Sequence, residues 1–229
     1  ERYNKAMKST DKAFVSEVNY NVGQYYLTKN NTTQAKTYLQ KAYTGAPQKV
    51  NGAGILLAEI AMSEKNPAQA EKYLTEMNTA AGGKNSQILG MLGTFYLQKG
   101  DATKAEQFLS KAVAAEPKNV EAKVLLLGIY EMQNNTAKVN STYSQLKSGT
   151  PKVTNAEIGT YFAQAGAADL AVKYLQKSIS EDKNSEAKVI LGQVYAAAGK
   201  KAEAVKVLEE AVKGTTKDIQ INTLAHCDS

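Results

Sequence analysis

Apolar residues between positions 86 and 115 fall into two helical stripes separated by a short polar break. The first segment, residues 86–99, places them three or four apart, at Leu89, Leu92, Phe95 and Tyr96. The second segment, residues 102–115, does the same at Ala105, Phe108, Leu109, Ala112 and Val113. This spacing predicts two amphipathic helices. Gly100 is expected to end the first helix, Asp101 to cap the second, and Pro117 to close the unit.

The same pattern recurs along the chain at a nearly constant interval. An anchor residue is followed by an aromatic residue after three positions, by alanine after twelve and by leucine after sixteen, with weaker matches in two copies. The anchors, which are 32 to 35 residues apart, are Gly23, Ala58, Gly93, Leu127, Gly159 and Gly192. Repeats of this length indicate helical hairpins stacked side by side, each covering the apolar face of its neighbour.

Small residues occupy matching places on both helices of most repeats. Two helices that pack about 8–10 Å apart need a residue without bulk where their axes come closest. Glycine meets this need on the first helix, and alanine is expected to meet it on the second, at Ala35, Ala70, Ala105, Ala171 and Ala204. The fourth repeat carries Val139 at the alanine position, so we expect its two helices to splay apart.

Three segments carry a motif that joins a small residue to an aromatic one: L-G-x-x-Y at 92–96 and 191–195, and I-G-x-x-F at 158–162. Through them the chain resembles the tetratricopeptide-repeat family. The resemblance implies an all-α fold, a right-handed α-α superhelix of about six helical hairpins whose first helices line the inner wall. The bulky residue that the family often carries early in the first helix is absent from most repeats, where residues such as Asn19, Gly54 and Lys123 stand instead.

We expect a single domain over residues 1–229. Its repeats are predicted at 16–49, 51–84, 86–119, 120–151, 152–184 and 185–218. Both ends fall inside a repeat: residues 1–14 resemble the end of a preceding second helix, and residues 219–229 the start of a further helix or a cap. The sequence therefore favours a piece of a longer array over a chain closed by terminal caps.

Little in the chain supports catalysis. The only histidine, His226, neighbours the only cysteine, Cys227, and adjacent residues point in different directions and cannot form a tetrahedral metal site alone. No glycine-rich phosphate loop is present, and carboxylates mostly stand beside lysines on predicted helix faces. We therefore predict no enzyme activity, no catalytic residues, no metal and no cofactor.

The inner wall that the resemblance implies is the predicted surface for binding a protein or peptide. Counting from the anchors, its exposed positions are Glu17, Tyr20, Gln24, Ile55, Glu59, Met62, Thr94, Gln98, Val124, Glu131, Met132, Thr160, Gln164 and Gln193. With two further inner positions, Glu121 and Glu186, the inner wall holds five glutamates and no lysine or arginine, although the formal charge of the chain is +6. Lysines fall mainly on the second helices and turns, on the outer wall. The groove thus suits an extended or helical peptide with apolar anchors and basic residues.

This charge distribution argues against two other classes of ligand. Family members that clamp a C-terminal carboxylate use Lys, Arg and Asn, whereas the matching positions here hold Tyr20, Gln24, Leu56, Gln87 and Met91. Nucleic-acid binding needs rows of cations with stacking aromatics, and the inner wall lacks the cations. Two alternatives stay open: a structural spacer arm with an empty groove, and an anionic-glycan site on the basic outer wall.

The polar composition, with segments such as L-Q-K-G-D-A-T-K-A-E at 97–106, resembles bacterial cell-envelope proteins built from these repeats. Those proteins include lipoproteins of pilus assembly and polysaccharide export. The resemblance favours the periplasm or cell envelope, with the cytoplasm as the alternative. No apolar run in the chain approaches the ~18 residues that a membrane span needs.

Overall fold

The computed structural model describes residues 11–45 and 51–227, and their side chains except for Asn51 and residues 215–227. Every regular element within these ranges is a helix. The twelve helices are α1 (Lys12–Thr28), α2 (Thr32–Gly45), α3 (Asn51–Ser63), α4 (Pro67–Ala80), α5 (Ser86–Gln98), α6 (Ala102–Ala115), α7 (Val120–Met132), α8 (Thr136–Ser148), α9 (Asn155–Gln164), α10 (Ala168–Ser180), α11 (Ala187–Ala197) and α12 (Lys201–Cys227). They form six consecutive hairpins, so the predicted all-α fold of paired helices is confirmed.

The helices divide into two compact units, residues 1–119 and 120–229. The first unit contains α1 to α6 and the second contains α7 to α12. In three places the second helix of a hairpin packs against the first helix of the next: α2 against α3, α4 against α5, and α10 against α11. The boundary between the units falls in sequence at the end of the third predicted repeat, and the single domain over residues 1–229 stays a prediction.

The two predicted partial repeats have different outcomes. The helix end expected in residues 1–14 lies mostly outside the described residues, which begin with Asp11 capping α1 through its carboxylate. At the other end, α12 runs without a break from Lys201 to Cys227, so residues 219–227 continue this helix instead of starting a further one. No proline interrupts the stretch, whereas Pro117 and Pro151 follow α6 and α8.

Every hairpin turns through the same backbone motif. One residue adopts a left-handed conformation, with φ between 53° and 76°, at Asn30, Lys65, Gly100, Asn134, Gly166 and Gly199. The N–H of the following residue then donates to the carbonyl five positions back, as Asp101 does to Tyr96 at 2.9 Å. This bond satisfies a carbonyl group that the helix end would otherwise leave unpaired. The helix end predicted at Gly100 is confirmed.

Glycine lets the two helices of a hairpin approach each other closely. A Cβ atom added to Gly93 would lie 2.5 Å from Cγ of Leu109, a distance that real side chains do not reach. Three further pairs repeat the contact at 2.6 to 2.7 Å: Gly23 with Leu39, Gly159 with Leu175, and Gly192 with Leu208. The predicted close approach is confirmed, but the residue that meets the glycine is leucine. The alanines four positions earlier are buried, with exposures of 0–4%: Ala35, Ala105, Ala171 and Ala204.

The hairpin of α7 and α8 departs from this pattern. Leu127 stands at the anchor position, and the adjacent Gly128 faces Phe162 of α9, so that an added Cβ would lie 2.8 Å from that ring. Val139, which we expected to separate the two helices, is half-buried where most other repeats bury an alanine. The glycine contact in this part of the second unit therefore joins two first helices, α7 and α9.

We predict that Gly93→Ala lowers the free energy of unfolding by about 1–2 kcal/mol, because the added methyl group overlaps the buried Leu109 side chain. Gly90 provides the matched control, since it lies on the same helix and has no atom within 4 Å of an added Cβ. Gly90→Ala is expected to raise stability by about 0.5–1 kcal/mol through helix propensity alone. Urea unfolding followed by circular dichroism measures both changes. Equal effects of the two substitutions would contradict the importance of the close approach.

Ala167 occupies the N-cap position of α10 without a capping side chain. Its backbone angles, φ −86° and ψ 68°, are close to the −91° and 77° at Asp101, whose side chain accepts the Lys104 N–H. Ala167→Asn is therefore expected to stabilise the protein by about 1 kcal/mol. Ala165→Asn, at the C-cap of α9 and not at the N-cap of α10, is the control and should lack this gain. Thermal unfolding compares the two variants, and a gain shared by both would count against a capping effect.

Candidate interaction surfaces

In the first unit, a cavity of about 530 Å³ lies beside α1 and the start of α3. Its lining combines acidic, aromatic and small residues: Asp11, Ala13, Phe14, Glu17, Tyr20, Asn21 and Gly52. Two of these, Glu17 and Tyr20, belong to the predicted binding surface. The described lining contains carboxylates and no lysine or arginine, so this surface suits a positively charged group. We call it the acidic cavity.

Tyr20 is held between two helices at the acidic cavity. The Gln24 side-chain amide donates a hydrogen bond to the Tyr20 hydroxyl at 2.9 Å. The backbone of Gly52 lies so near that an added Cβ would be 2.6 Å from the same hydroxyl oxygen. A residue larger than glycine at position 52 would therefore displace the tyrosine. Beside it, Glu17 is exposed and Phe14 keeps 46% of its surface accessible.

In the second unit, another cavity of about 530 Å³ opens between α9 and α11. Its lining is uncharged: Thr160, Ala163, Gln164, Gly166, Ala168, Ile190, Gln193, Val194, Ala197 and Ala198. Thr160, Gln164 and Gln193 were predicted from their positions relative to the anchors, and the structure brings them together here. The apolar lining residues were not predicted, although Val194 directly follows Gln193 of the predicted set. We call this the aliphatic cavity.

Six other predicted residues are accessible but line neither cavity. Glu59 and Gln98 are exposed, whereas Ile55, Met62 and Thr94 are half-buried on α3 and α5. Met132, at the end of α7, is 64% exposed. These positions remain predicted contacts for a ligand, with no described pocket around them.

Val124 was expected to be exposed on α7, but it is buried, with 1% of its surface accessible. The cause is the packing of α7 against α9. Val124 lies one turn before Gly128, on the face that approaches Phe162, and α9 covers that face. It belongs to the apolar core of the second unit together with Leu127 and Ile158. Val124 is therefore not accessible to a ligand.

Glu131 is also engaged within the chain. Its carboxylate, 13% exposed, accepts hydrogen bonds from Lys173 Nζ and from the Tyr174 hydroxyl, both at 2.7 Å. Burial opposes ionisation of Glu131, but the two hydrogen bonds outweigh it and lower the pKa of the carboxyl group. Burial, and then the bond to Glu131, raises the pKa of Tyr174. Glu131 therefore links α7 to α10, and its carboxylate is already paired within the chain instead of being available to a ligand.

A second Tyr–Glu–Lys group has the same chemistry in the first unit. Glu71 of α4 accepts hydrogen bonds from Tyr96 at 2.7 Å and from Lys99 at 2.9 Å. The bonds from Lys99 and then Tyr96 lower the pKa of Glu71, while burial and the carboxylate raise the pKa of Tyr96 to about 12. Sequence patterns missed both groups because each glutamate, 25 to 43 positions from its two donors, meets them only after different repeats have packed.

Several lysines of the second helices are engaged with neighbouring side chains. Lys36 forms an ion pair with Glu64 at 2.6 Å. Lys177 Nζ lies 4.7 Å from the ring centre of Tyr143 and 3.3 Å from the Glu181 carboxylate. Ion pairing offsets part of the positive charge that the sequence places on these helices, so less of it is available to an anionic ligand.

Within residues 11–45 and 51–227, no helix combines the length and the apolar character that crossing a membrane requires. Among the same residues, no three His, Cys, Asp or Glu side chains come close enough together to hold a metal ion. The side chains of His226 and Cys227, considered above as metal ligands, lie outside the described part of the chain.

Consecutive helical hairpins, joined by one type of turn and packed side to side within each unit, define a helical-repeat protein. Models of the tetratricopeptide repeat match residues 16–49, 86–119 and 157–219. The chain belongs to the tetratricopeptide-repeat family. The family and its fold are typically non-catalytic, and membership supports a role as a protein–protein interaction scaffold.

Solved structures support the same fold. The chain is 18% identical to a tetratricopeptide repeat protein from Parabacteroides merdae, with a TM-score of 0.62, over 92% of this chain and 83% of that one. It is 16% identical to PilW, a widely conserved type IV pilus biogenesis factor, with a TM-score of 0.56 over 92% and 98% of the two chains. Against a chain of the APC/C hetero-tetramer Cut9–Hcn1, identity is 18% and the TM-score 0.58, over 92% of this chain but only 42% of that one. At these identities the likeness concerns the fold alone.

We predict that Glu131→Gln lowers the free energy of unfolding by about 1–3 kcal/mol at pH 7, because the buried Tyr174 hydroxyl and the more exposed Lys173 ammonium group lose a charged acceptor. The folded carboxyl has a lowered pKa. Its contribution is therefore complete above the unfolded pKa of about 4.3 and disappears as the pH falls through the folded pKa. Urea unfolding of wild type and variant at neutral and acidic pH should show that the difference between their free energies of unfolding is smaller in acid.

The exposed Glu59 provides a matched control for this measurement. Glu59→Gln should leave the unfolding midpoint nearly unchanged at both pH values. If the stability difference between the wild type and Glu131→Gln is the same at neutral and acidic pH, ionisation of this carboxyl group does not stabilise the fold.

Proposed function

We propose that this chain is a scaffold that binds an extended or helical segment of a partner protein along the first helices of its repeats. The observation that carries this proposal is the aliphatic cavity, because it opens between the first helices of two consecutive repeats. Its volume of about 530 Å³ lies within the range of roughly 300–1,000 Å³ that is typical of ligand sites.

The aliphatic cavity favours an uncharged anchor residue from the partner. Ile190 and Val194 offer apolar contact, and full burial of a leucine-sized side chain contributes about 1.5–3 kcal/mol. Gln164 and Gln193 each carry an amide donor and acceptor that can pair with the backbone of a bound segment. A charged anchor would lose its hydration without an opposite charge in return, since no ionisable residue lines this cavity.

The acidic cavity suits a different group of the partner. A Lys or Arg side chain can pair with a carboxylate while it contacts an aromatic face, and this cavity offers Glu17 beside Phe14 and Tyr20. Asp11 also lines it, but its carboxylate already accepts the N–H groups at the start of α1. We therefore expect Glu17 to make the main contact with a cation. A partner with both basic and aliphatic residues would use the chemistry of both units.

We further propose that the partner is part of a larger bacterial assembly in the cell envelope, such as pilus or polysaccharide-export machinery. The support is the polar composition of the chain and its likeness in fold to the pilus biogenesis factor PilW. An anionic-glycan site on the second helices has weaker support, because several of their lysines already pair with carboxylates. The spacer-arm alternative differs from our proposal in predicting no ligand at either cavity.

Selection of phage-displayed random peptides on the intact chain tests the proposal. Binding of each selected peptide, labelled with a fluorophore, is then measured by anisotropy. Gln193→Trp should weaken binding by about tenfold or more, because the indole occupies part of the aliphatic cavity. The chain contains no tryptophan, so emission from the new side chain reports whether it is shielded from water.

Lys206→Trp is the matched control, since it places the same indole at an exposed position of α12 that lines neither cavity. Its affinity for the peptides should equal that of the wild type. If no peptide is selected, the spacer-arm alternative is favoured. If both variants bind the selected peptides as the wild type does, the aliphatic cavity is not the binding site. Retention on heparin that Gln193→Trp leaves unchanged, without any peptide binding, would favour the glycan alternative.

A further inference from the structure

Helix α8 buries less of its surface than α10, the next second helix along the chain. Both helices have 13 residues. On α8 two side chains are buried, Thr142 and Leu146, and the first of these is polar. On α10 four side chains are buried, with exposures of 0–2%: Ala171, Tyr174, Leu175 and Ser178. Since the stability of a short helix comes mostly from packing of its apolar face, α8 is held more weakly than α10.

The hairpin of α7 and α8 has bulky residues where other hairpins have their closest contact. Four hairpins place a leucine against the anchor glycine, whereas the fourth has Leu127 and Tyr143 at these two positions. Two large side chains keep helix axes farther apart than a leucine and a glycine do. Val139, half-buried one turn before Tyr143, adds bulk on the same side of α8. Helix α8 therefore lacks the contact that fixes most other second helices.

The next first helix, α9, is covered only in part by α8. Tyr161 of α9 keeps 37% of its surface accessible. The residues at the same repeat position on α3, α5 and α11 are Ile60, Phe95 and Val194, and each is at most 8% exposed. Those three helices pack against the second helix that precedes them. The exposure of Tyr161 thus indicates that α8 packs less closely on its successor than α2, α4 and α10 do.

The attachments of α8 to the next repeat are largely polar. The Tyr143 hydroxyl donates to Asn155 Oδ1 at 2.7 Å, and Lys177 Nζ lies 4.7 Å from the ring centre of Tyr143. Lys147 pairs with Asp182 at 3.5 Å, between side chains that are 33% and 28% exposed. Water can take the place of the partner in each of these contacts, so each adds only modestly to the hold on α8.

Helix α7 is joined to the rest of the second unit by contacts that do not involve α8. Gly128 faces Phe162 of α9, with 2.8 Å between an added Cβ and that ring. Glu131 accepts hydrogen bonds from Lys173 and Tyr174 of α10. Because these contacts run directly from α7 to α9 and α10, they stay in place when α8 moves away.

We propose that α8 is a releasable cover, a helix that opens on its own while α7, α9 and α10 stay packed. Its low burial reduces the free energy of opening, and the direct contacts of α7 keep the remaining helices folded. Opening uncovers Tyr174, which is 2% exposed and whose ring centre lies 6.0 Å from that of Tyr143. Helix α8 thereby controls access to apolar surface that the closed protein hides. It lines neither the acidic nor the aliphatic cavity, so this role is separate from the ligand proposed above.

Native-state hydrogen exchange of the whole chain, followed by mass spectrometry, tests the proposal. Amides in the middle of α8, residues 140–147, should exchange at least about tenfold faster than those of α10, residues 172–179, after correction for their intrinsic rates. Low concentrations of urea should accelerate exchange in α10 but leave exchange in α8 nearly unchanged. The reason is that opening a single helix exposes little surface, whereas unfolding of the unit exposes much more.

Two variants show whether α8 and α10 open separately. Asn140→Ala combined with Ser144→Ala, at exposed positions of α8, should slow exchange in α8 about fivefold because alanine favours the helix. Ala167→Asn, which adds a cap to α10 in the same unit, is the matched control. It should slow exchange in α10 and leave exchange in α8 at the rate of the wild type.

Three results would overturn the proposal. The first is exchange in α8 that is as slow as exchange in α10. The second is exchange in α8 that accelerates with urea as steeply as exchange in α10 does. The third is slowing of both helices by the same factor in Ala167→Asn, which would show that the second unit opens as a whole.

Discussion

The fit of a leucine side chain against a glycine backbone sets the geometry of four of the six hairpins in this protein. At Gly93 and Leu109 the two helices come so near that even one methyl group has no room. The contact fixes which face of each first helix is buried and, by the turn of the helix, which face stays accessible. The positions of both cavities depend on this orientation, since their linings come largely from first helices.

Where the glycine shifts by one position, the surface around it changes. Gly128 directs α7 toward α9, and Val124, an expected ligand contact, becomes part of the core. On the same helix, Glu131 pairs with Lys173 and Tyr174. In the fourth repeat, two side chains that the general pattern assigns to ligand binding therefore stabilise the fold instead. The predicted residues that line a cavity lie in other repeats.

The sequence predicts well those features that depend on residues close together in the chain. Left-handed turn residues, helix caps and apolar stripes all act within one repeat, and so the hairpins and the grouping of Thr160, Gln164 and Gln193 on first helices follow from spacing. Contacts between repeats could not be predicted from the spacing in the same way. The bond from Lys173 to Glu131 spans 42 positions and depends on the packing of α7 and α10. The burial of Val124 did have a visible signal, because Gly128 stands one residue away from the anchor position.

The uniform turn has a consequence for how such a chain can change over evolutionary time. Each turn needs only one residue that tolerates positive φ, and the following N–H closes it. Because the hydrogen bond that closes each turn joins residues of one hairpin, a gene segment encoding one hairpin can be duplicated or exchanged without changing how its neighbours' turns are closed. Growth and shrinkage by whole hairpins then alters the number of binding positions while each new hairpin keeps its own means of reversing direction.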